Sequence, residues 1–287
     1  MRKTSCKNIS FWQDAGTRFY RNKAAISGAL ILIFLIAAAI FLPLFSSHTY
    51  YDIHPELKNS PPSACFLFGT DELGRDIFIR TWYGARISLA VGITAAAIDV
   101  LIGVLWGMAA ACSKRWLDEI MMRTCDVLCS VPYLLIVLLL LVAMKPGFVS
   151  IVIALTFTGW INMARIIRTQ ALLLTKSDLL PALQSLGASK KRIIFRHLIP
   201  NSLNAIIATV ALTISTAIFT EAFLSFLGLG IQSPNASLGV MINESLPALS
   251  YYPWKLLFPA SVITLIILGF NLFGDGLRES LDPRLRK

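Results

Sequence analysis

Residues 24–45 read AAISGALILIFLIAAAIFLPLF and contain no charged side chain. At about 1.5 Å per residue, a helix of this length crosses the ~30 Å hydrocarbon core of a bilayer. Further long apolar runs predict membrane spans at about 87–112, 120–144, 149–173, 203–227 and 256–273, and Pro132 is expected to kink the third span. The sequence therefore predicts an all-α polytopic membrane protein with six transmembrane helices.

The composition agrees with a membrane location. Hydrophobic residues make up 56% of the 287 residues, charged residues 15%, and the mean hydropathy is +0.68. Soluble domains are usually about 45–50% apolar. We expect a tail over 1–23, a first helix with an extracytoplasmic segment over 24–85, a five-helix core over 86–275 and a second tail over 276–287, with no room for a large soluble domain.

The net charge of +10 is explained by topology. The basic residues flank apolar runs and are not gathered into a patch with stacking aromatics, which argues against nucleic acid as a partner. Most of the 26 Lys and Arg residues fall on one side if the amino terminus is cytoplasmic. Both termini and the loop at about 174–202 are therefore predicted to be cytoplasmic.

Motifs of common enzymes are missing from the sequence. The dipeptide Gly-Lys of the phosphate-binding loop does not occur, nor do His-Glu-x-x-His and Gly-x-Ser-x-Gly. The cysteines and the three histidines show no metal-ligand spacing. We expect a non-catalytic chain without cofactor or metal; an intramembrane aspartyl protease, considered because of Asp275 between two glycines, is a remote alternative.

Two acidic residues fall inside predicted spans, Asp99 in the second and Glu221 in the fifth. An ionisable group at membrane depth must face protein or water. Each is interpreted either as a buried hydrogen-bonding group that packs helices together or as part of the polar lining of a translocation path.

A basic segment, LGASKKRIIFRHLIPN, occupies residues 186–201 between the fourth and fifth spans. Its Lys and Arg residues alternate with Ile193, Ile194, Phe195 and Leu198, which predicts a short amphipathic helix over about 190–198. Gly187 permits a tight turn between this helix and a preceding one. The residues alone are compatible with either a soluble protein partner or anionic lipid.

A second motif, FGTDELGRDIF, occupies residues 68–78 before the second span. We predict that Thr70 caps a helix with Asp71 and Glu72 in its first turn, where acids complement the helix dipole. The residues of this outer-face motif are Gly69, Thr70, Asp71, Gly74, Arg75 and Asp76.

Four blocks together resemble one family. They are residues 69–76 with the nearby YGARISL at 83–89, the segment 186–201, EAFLSFLGLG at 221–230, and GDGLRESLDPRL at 274–285. This pattern resembles the C-type inner-membrane permease subunits of ATP-binding-cassette importers in the oligopeptide, dipeptide and nickel branch. The resemblance implies a type I ABC importer permease fold and import of short peptides, with dipeptides, nickel or a metal chelate as alternative substrates.

The resemblance also implies a location and partners. The location is the bacterial cytoplasmic membrane, and the partners are a second homologous permease, two cytoplasmic ATPases, an extracytoplasmic solute-binding protein and membrane lipid. In such permeases a cytoplasmic loop docks on the ATPase, with the apolar face of its helix in a groove. Pro181 stands where the family has glutamate, and Leu183 where it has alanine. The residues expected to form the ATPase-coupling loop are Ala182, Gly187, Ala188, Ser189, Lys190, Lys191, Arg192, Phe195, Arg196 and Pro200.

A self-sufficient channel or ion-coupled carrier is the alternative from another class. It predicts a row of polar pore residues or inverted repeats with broken helices, and neither is evident as a pattern in the sequence.

Overall fold

The computed structural model describes residues 11–46, 48–145, 147–175, 185, 187–231 and 235–281. The α-helices in this part of the chain are α1 Phe11–Arg21, α2 Lys23–Phe45, α3 Ile77–Ala111, α4 Arg115–Ser130, α5 Tyr133–Ala143, α6 Phe148–Thr175, α7 Lys190–Ile193, α8 Ile199–Phe226, α9 Leu238–Ser245 and α10 Trp254–Leu281. Single 3-10 turns lie at Pro55–Leu57 and Leu246–Ala248, and a π-helical turn at Ile194–Leu198 joins α7 to α8.

The predicted membrane spans are confirmed at the level of the fold. Five described helices are long and apolar enough to cross a membrane: α2, α3, α6, the continuous helix Lys191–Phe226, and α10. Helices α4 and α5 supply a sixth span if they count as one, and they meet at an angle of 79°. Pro132 lies at this break, directly before α5. Because proline cannot donate a backbone hydrogen bond, the helix is completely interrupted here, whereas only a kink was predicted.

Three predicted boundaries differ from the structure. Helix α3 begins at Ile77, well before the predicted start at 87. The helix that contains α8 extends back without interruption to Lys190, so the predicted short helix at 190–198 is the first part of this long helix. Helix α10 continues to Leu281, past the predicted end at 273, and part of the predicted tail over 276–287 is therefore helical.

Helix α3 lies at the centre of the packing, between α6 and α8. Gly103 and Gly107 are four residues apart on the face of α3 that meets α6, and a Cβ on Gly103 would lie 2.7 Å from the carbonyl oxygen of Trp160. Small residues with this spacing let membrane helices approach closely. The result is a tight contact that fixes α6 beside α3.

Helix α10 packs against α2 and α8 and completes the bundle. Leu35 of α2, Leu89 of α3, Ile218 of α8 and Ile266 of α10 belong to one buried apolar cluster.

Helix α1 and Asn22, which belong to the predicted tail over 1–23, are attached to this bundle. The ring centroids of Phe19 and Phe273 are 5.8 Å apart, and Nδ2 of Asn22 donates a 2.7 Å hydrogen bond to Oε2 of Glu279. Asn22 also caps α2, because its Oδ1 accepts from the backbone N–H groups of Ala24 and Ala25.

Candidate functional site

A groove of about 1030 Å³ lies along α6 and α8. Its lining on α8 extends from Asn201 in the first turn to Thr220 near the end of the helix. At about 1.5 Å per residue this distance is roughly 28 Å, close to the thickness of a bilayer core. Asp99 of α3, Tyr133 of α5 and Arg278 of α10 also reach the groove.

Polar side chains line the groove at helical spacing. Helix α6 contributes Thr158, Asn162 and Gln170, and α8 contributes Asn201, Asn204, Thr209, Thr213, Thr216 and Thr220. Residues three and four apart lie on the same face of a helix, so each helix presents one polar stripe. This row was not predicted from the sequence, although the threonines at 209, 213, 216 and 220 recur at helical spacing.

The threonine hydroxyls on α8 are already bonded within the helix. Thr209 donates to the carbonyl of Ala205 at 2.7 Å, Thr213 to that of Thr209 at 3.0 Å, and Thr220 to that of Thr216 at 2.8 Å. A hydroxyl that donates in this way keeps its oxygen lone pairs as acceptors. The stripe therefore offers acceptors to a solute with N–H groups.

Asp99 lies in the wall of this groove. Its side chain is 5% exposed, and within the described part of the chain its Oδ1 has no hydrogen-bond partner. Gly159 of α6 faces the carboxyl group and also lines the groove. Of the two interpretations of Asp99, the structure therefore favours a place in the polar lining.

Glu221 has different surroundings and does not line the groove. The residue is fully buried, and its carboxylate accepts hydrogen bonds from Ser88 of α3 at 2.8 Å and Ser225 of α8 at 2.7 Å. Ser237, which caps α9, donates to the hydroxyl oxygen of Ser225 at 3.2 Å. Glu221 thus ties α3 and α8 together next to the start of α9.

The basic segment begins at Gly187, whose φ of +73° lies in the left-handed region that glycine favours. The hydroxyl oxygen of Ser189 accepts from the backbone N–H of Arg192 at 3.3 Å, as a residue at a helix start does. Ala188 packs against the neighbouring apolar cluster. Pro200 is the second residue of α8 and comes directly after the π-helical turn, where the hydrogen-bond pattern of the long helix is irregular. Ala182, Pro181, Leu183, Leu186 and the side chain of Lys190 lie outside the described residues.

The expectation that the apolar face of this segment contacts a partner is wrong for two of its residues. Ile193 and Leu198 are 4% and 1% exposed and pack against Met108 of α3 and Ile167 of α6. Phe195, by contrast, is 61% exposed. Among the described residues of the segment, the long side chains that are exposed are those of Phe195, Lys191, Arg192 and Arg196.

The outer-face motif lies directly before the first residue of α3, and the predicted helix cap at Thr70 is wrong. Asp76, not Thr70, caps α3, since Oδ1 of Asp76 accepts from the backbone N–H of Phe78 at 2.8 Å. Thr70 instead bonds the loop before the motif, donating to the carbonyl of Leu57 and accepting from the N–H of Ser60. Gly69 and Gly74 have positive φ values of +74° and +76°.

Asp71 is the centre of a buried ion-pair network and does not lie in a first helical turn. Its Oδ2 accepts from Nε of Arg75 at 2.6 Å and from Arg80 at 3.0 Å. Arg80 also contacts Glu244 of α9 at 3.0 Å, and burial raises the pKa of Glu244 while the Arg75 guanidinium opposes this rise. Arg80 and Glu244 were missed by sequence reasoning because no local pattern links residues so distant in the chain.

A second ion pair ties this loop to the start of α10. Nζ of Lys255, which is 3% exposed, lies 3.2 Å from Oε1 of Glu72 and 3.2 Å from Oδ1 of Asn59. The loop before α3 is therefore fixed to both α9 and α10.

Comparison with known proteins gives two family matches. Residues 100–287 match the profile of the family described as binding-protein-dependent transport system inner membrane component. Residues 10–62 match the profile of the N-terminal TM domain of oligopeptide transport permease C.

Similar curated proteins cover nearly the whole chain. The oligopeptide transport system permease protein OppC of Bacillus subtilis is 52% identical over 285 residues, which cover 99% of this chain and 93% of that protein. The dipeptide transport system permease protein DppC of the same organism is 51% identical over 281 residues, covering 98% and 88%. OppC of Salmonella typhimurium is 38% identical over 287 residues, covering 99% and 95%.

Solved structures with a similar fold are more distant in sequence. An inward-facing structure of the MetNI methionine ABC transporter matches with a TM-score of 0.59 at 16% identity, covering 72% of this chain and 96% of that one. An amino acid ABC transporter gives a TM-score of 0.54 at 20% identity, covering 70% and 93%. The fold is therefore that of ABC importer membrane subunits.

Proposed function

The chain belongs to the family of binding-protein-dependent transport system inner membrane components, and we propose that it is the permease subunit through which an ATP-driven importer moves short peptides. Family membership makes it a multi-pass protein of the inner membrane. The single structural observation that carries the proposal is the polar groove along α6 and α8, which extends over most of a bilayer's thickness.

The chemistry of the groove suits a peptide. A peptide backbone carries N–H donors and carbonyl acceptors, and the groove offers threonine oxygens as acceptors and the amides of Asn162, Gln170 and Asn204 as both donors and acceptors. Such contacts do not depend on the solute's side chains. Similarity to both oligopeptide and dipeptide permeases supports short peptides of varied sequence as the substrate.

The groove is open on one side, so this chain alone does not enclose a path. A second, homologous permease completes the walls in our proposal. This geometry favours a subunit of an assembly over a self-sufficient channel, although the polar row that a channel would need is present.

The ATPases dock on the exposed surface formed by Phe195 and its basic neighbours. This surface leads directly into the continuous helix Lys191–Phe226, which also carries one wall of the groove. Because the helix is uninterrupted, a displacement at Phe195 is transmitted to the threonine stripe on α8. Closure of two ATP-bound ATPases thus switches access to the groove between the two membrane faces.

The extracytoplasmic binding protein contacts the opposite end of the helix bundle, at the loop before α3 and at α9. The ion pairs of Arg80 with Glu244 and of Lys255 with Glu72 hold these elements in place. The excess of Lys and Arg around the other end supports cytoplasmic termini.

The test is reconstitution of the chain in liposomes with its partner permease, two ATPases and binding protein. We expect uptake of a labelled tripeptide that requires both ATP and the binding protein, and no ATP hydrolysis by the permease pair alone. Peptide flux without ATP, or failure of the ATPases to co-purify with the chain, would overturn the proposal.

A further inference from the structure

Asp99 is the acidic residue in the wall of the groove, and its carboxylate is incompletely bonded. The side chain is 5% exposed, and the structure's described residues provide no hydrogen-bond partner for Oδ1 and no ion pair for the carboxylate. A buried carboxylate without a partner is costly, because it has lost its water without gaining a donor. A cationic ligand that enters the groove would supply this donor.

Gly159 leaves room for the Asp99 carboxyl group at the wall of the groove. A Cβ on Gly159 would lie 2.9 Å from both Cγ and Oδ1 of Asp99, and closer still to Oδ2. The carboxyl group of α3 therefore occupies the space that a side chain on α6 would fill. Asp99 and Gly159 both line the groove, so the carboxyl group lies at the groove wall beside this glycine.

The ionisable residues that line the groove indicate which charge a ligand at Asp99 would carry. Asp99 and Arg278 are the charged residues among those that line the groove, and Arg278 lies in the last turn of α10. The neighbours of Gly159 in the lining are neutral, with Thr158 and Asn162 offering oxygen acceptors. The region around Asp99 thus holds one carboxyl group beside neutral oxygen acceptors.

This arrangement fits a primary ammonium group better than a metal ion. A hard divalent cation needs about six oxygen ligands and usually several carboxylates, whereas no group of three or more His, Cys, Asp or Glu side chains with that potential exists in the described ranges. An ammonium group has three donors, which one carboxylate and neighbouring hydroxyl and amide oxygens can satisfy.

We propose that Asp99, at the groove wall beside Gly159, binds the free amino terminus of the transported peptide. The inference rests on the proposed function and adds the group of the substrate that the groove recognises. Every unmodified peptide carries an α-ammonium group near neutral pH. A subsite for this group orients the peptide in the groove without selecting its side chains.

The experiment measures equilibrium binding of two labelled peptides to the purified assembly of permeases and ATPases, without binding protein and without nucleotide. The peptides are trialanine and N-acetyl-trialanine. Omitting the binding protein matters because its own preference for an amino terminus would obscure that of the groove. We expect the wild-type assembly to bind trialanine at least about tenfold more tightly, as for a charge-assisted hydrogen bond.

Asp99→Asn is expected to abolish this preference, and so is Gly159→Ala, whose methyl group would displace the Asp99 carboxyl group from its position beside α6. Glu221→Gln is the matched control, because it neutralises a buried acid of the neighbouring helix that does not line the groove. It should keep the wild-type preference. Basal ATP hydrolysis and the elution volume of the assembly check that each variant is folded.

A preference that survives in Asp99→Asn overturns the inference, and so does equal binding of both peptides by the wild type. Loss of assembly in Asp99→Asn also overturns it, because Asp99 would then belong to a contact between subunits. The proposed function fails separately, when the wild-type assembly takes up no peptide with ATP and binding protein present. Normal uptake without an amino-terminal preference refutes the Asp99 subsite alone.

Discussion

Arg80 of α3 donates a 3.0 Å hydrogen bond to Glu244 of α9, although 164 residues separate the two in the chain. The Arg80 side chain is 3% exposed and also binds Asp71 at 3.0 Å. One guanidinium group therefore connects the loop before α3, the first turns of α3 and the short helix α9.

Arg80→Ala is expected to lower the free energy of unfolding by about 3 kcal/mol, because it leaves two carboxylates short of a buried partner. Thermal unfolding of the detergent-solubilised protein measures the effect. Arg115→Ala is the control, since the Arg115 side chain is 94% exposed and its pair with Glu119 contributes less than about 1 kcal/mol. Equal stability of the two variants would refute the structural role of Arg80.

Ser88→Ala should destabilise the contact between α3 and α8 by about 1–3 kcal/mol. The fully buried Glu221 carboxylate loses a 2.8 Å hydrogen bond in this variant, and no water replaces the hydroxyl in a packed interior. Ser261→Ala removes an exposed hydroxyl bonded to its own helix and is expected to change stability by less than about 0.5 kcal/mol. A Ser88 variant as stable as the Ser261 variant would contradict this account of Glu221.

Gly187→Pro is expected to uncouple ATP hydrolysis from uptake while the chain remains inserted. Proline fixes φ near −65°, whereas Gly187 has a φ of +73°. Gly187→Asn should retain most of the coupling, because asparagine tolerates the left-handed region. Cys129→Ala, a change at an exposed residue outside the segment, should leave the ratio of transported peptide to hydrolysed ATP unchanged. A normal ratio in the proline variant removes Gly187 from the coupling mechanism.

Phe195→Ala and Ile193→Ala separate partner binding from packing within the chain. Phe195 is 61% exposed, so its truncation should weaken co-purification of the ATPases with little loss of thermal stability. Ile193 is 4% exposed, so its truncation should lower the stability by about 2–5 kcal/mol. If Phe195→Ala binds the ATPases normally, the docking surface lies elsewhere on the chain.

The existence of the spans could be predicted from the sequence because hydropathy is a local property. Boundaries were less predictable, since they depend on single hydrogen bonds. Asp76 and Thr70 are both good capping residues by type, and only the fold shows that Thr70 is engaged by Leu57 and Ser60. A kink at Pro132 was predicted from proline chemistry, but the complete break, with an angle of 79°, depends on how α4 and α5 pack.

The groove could be predicted only in part. Asp99 was recognised as an ionisable residue at membrane depth, yet its difference from Glu221 depends on neighbours in other helices: Gly159 for Asp99, and Ser88 for Glu221. The polar row was missed because its members are neutral and lie on two helices separated by the basic segment. The burial of Ile193 and Leu198 could not be predicted either. An amphipathic pattern does not show whether its apolar face packs on the same chain or on a partner.

Photo-crosslinking tests the central claim most directly. The reconstituted importer takes up a tripeptide that carries a diazirine side chain, is illuminated during turnover with ATP, and is digested for mass spectrometry. We predict that the label on this chain lies on α6 and α8, at the stripe that includes Asn162, Thr213 and Thr216. Labelling confined to the exposed apolar surface, for example at Leu268 of α10, would contradict the assignment of the groove as the path of the peptide.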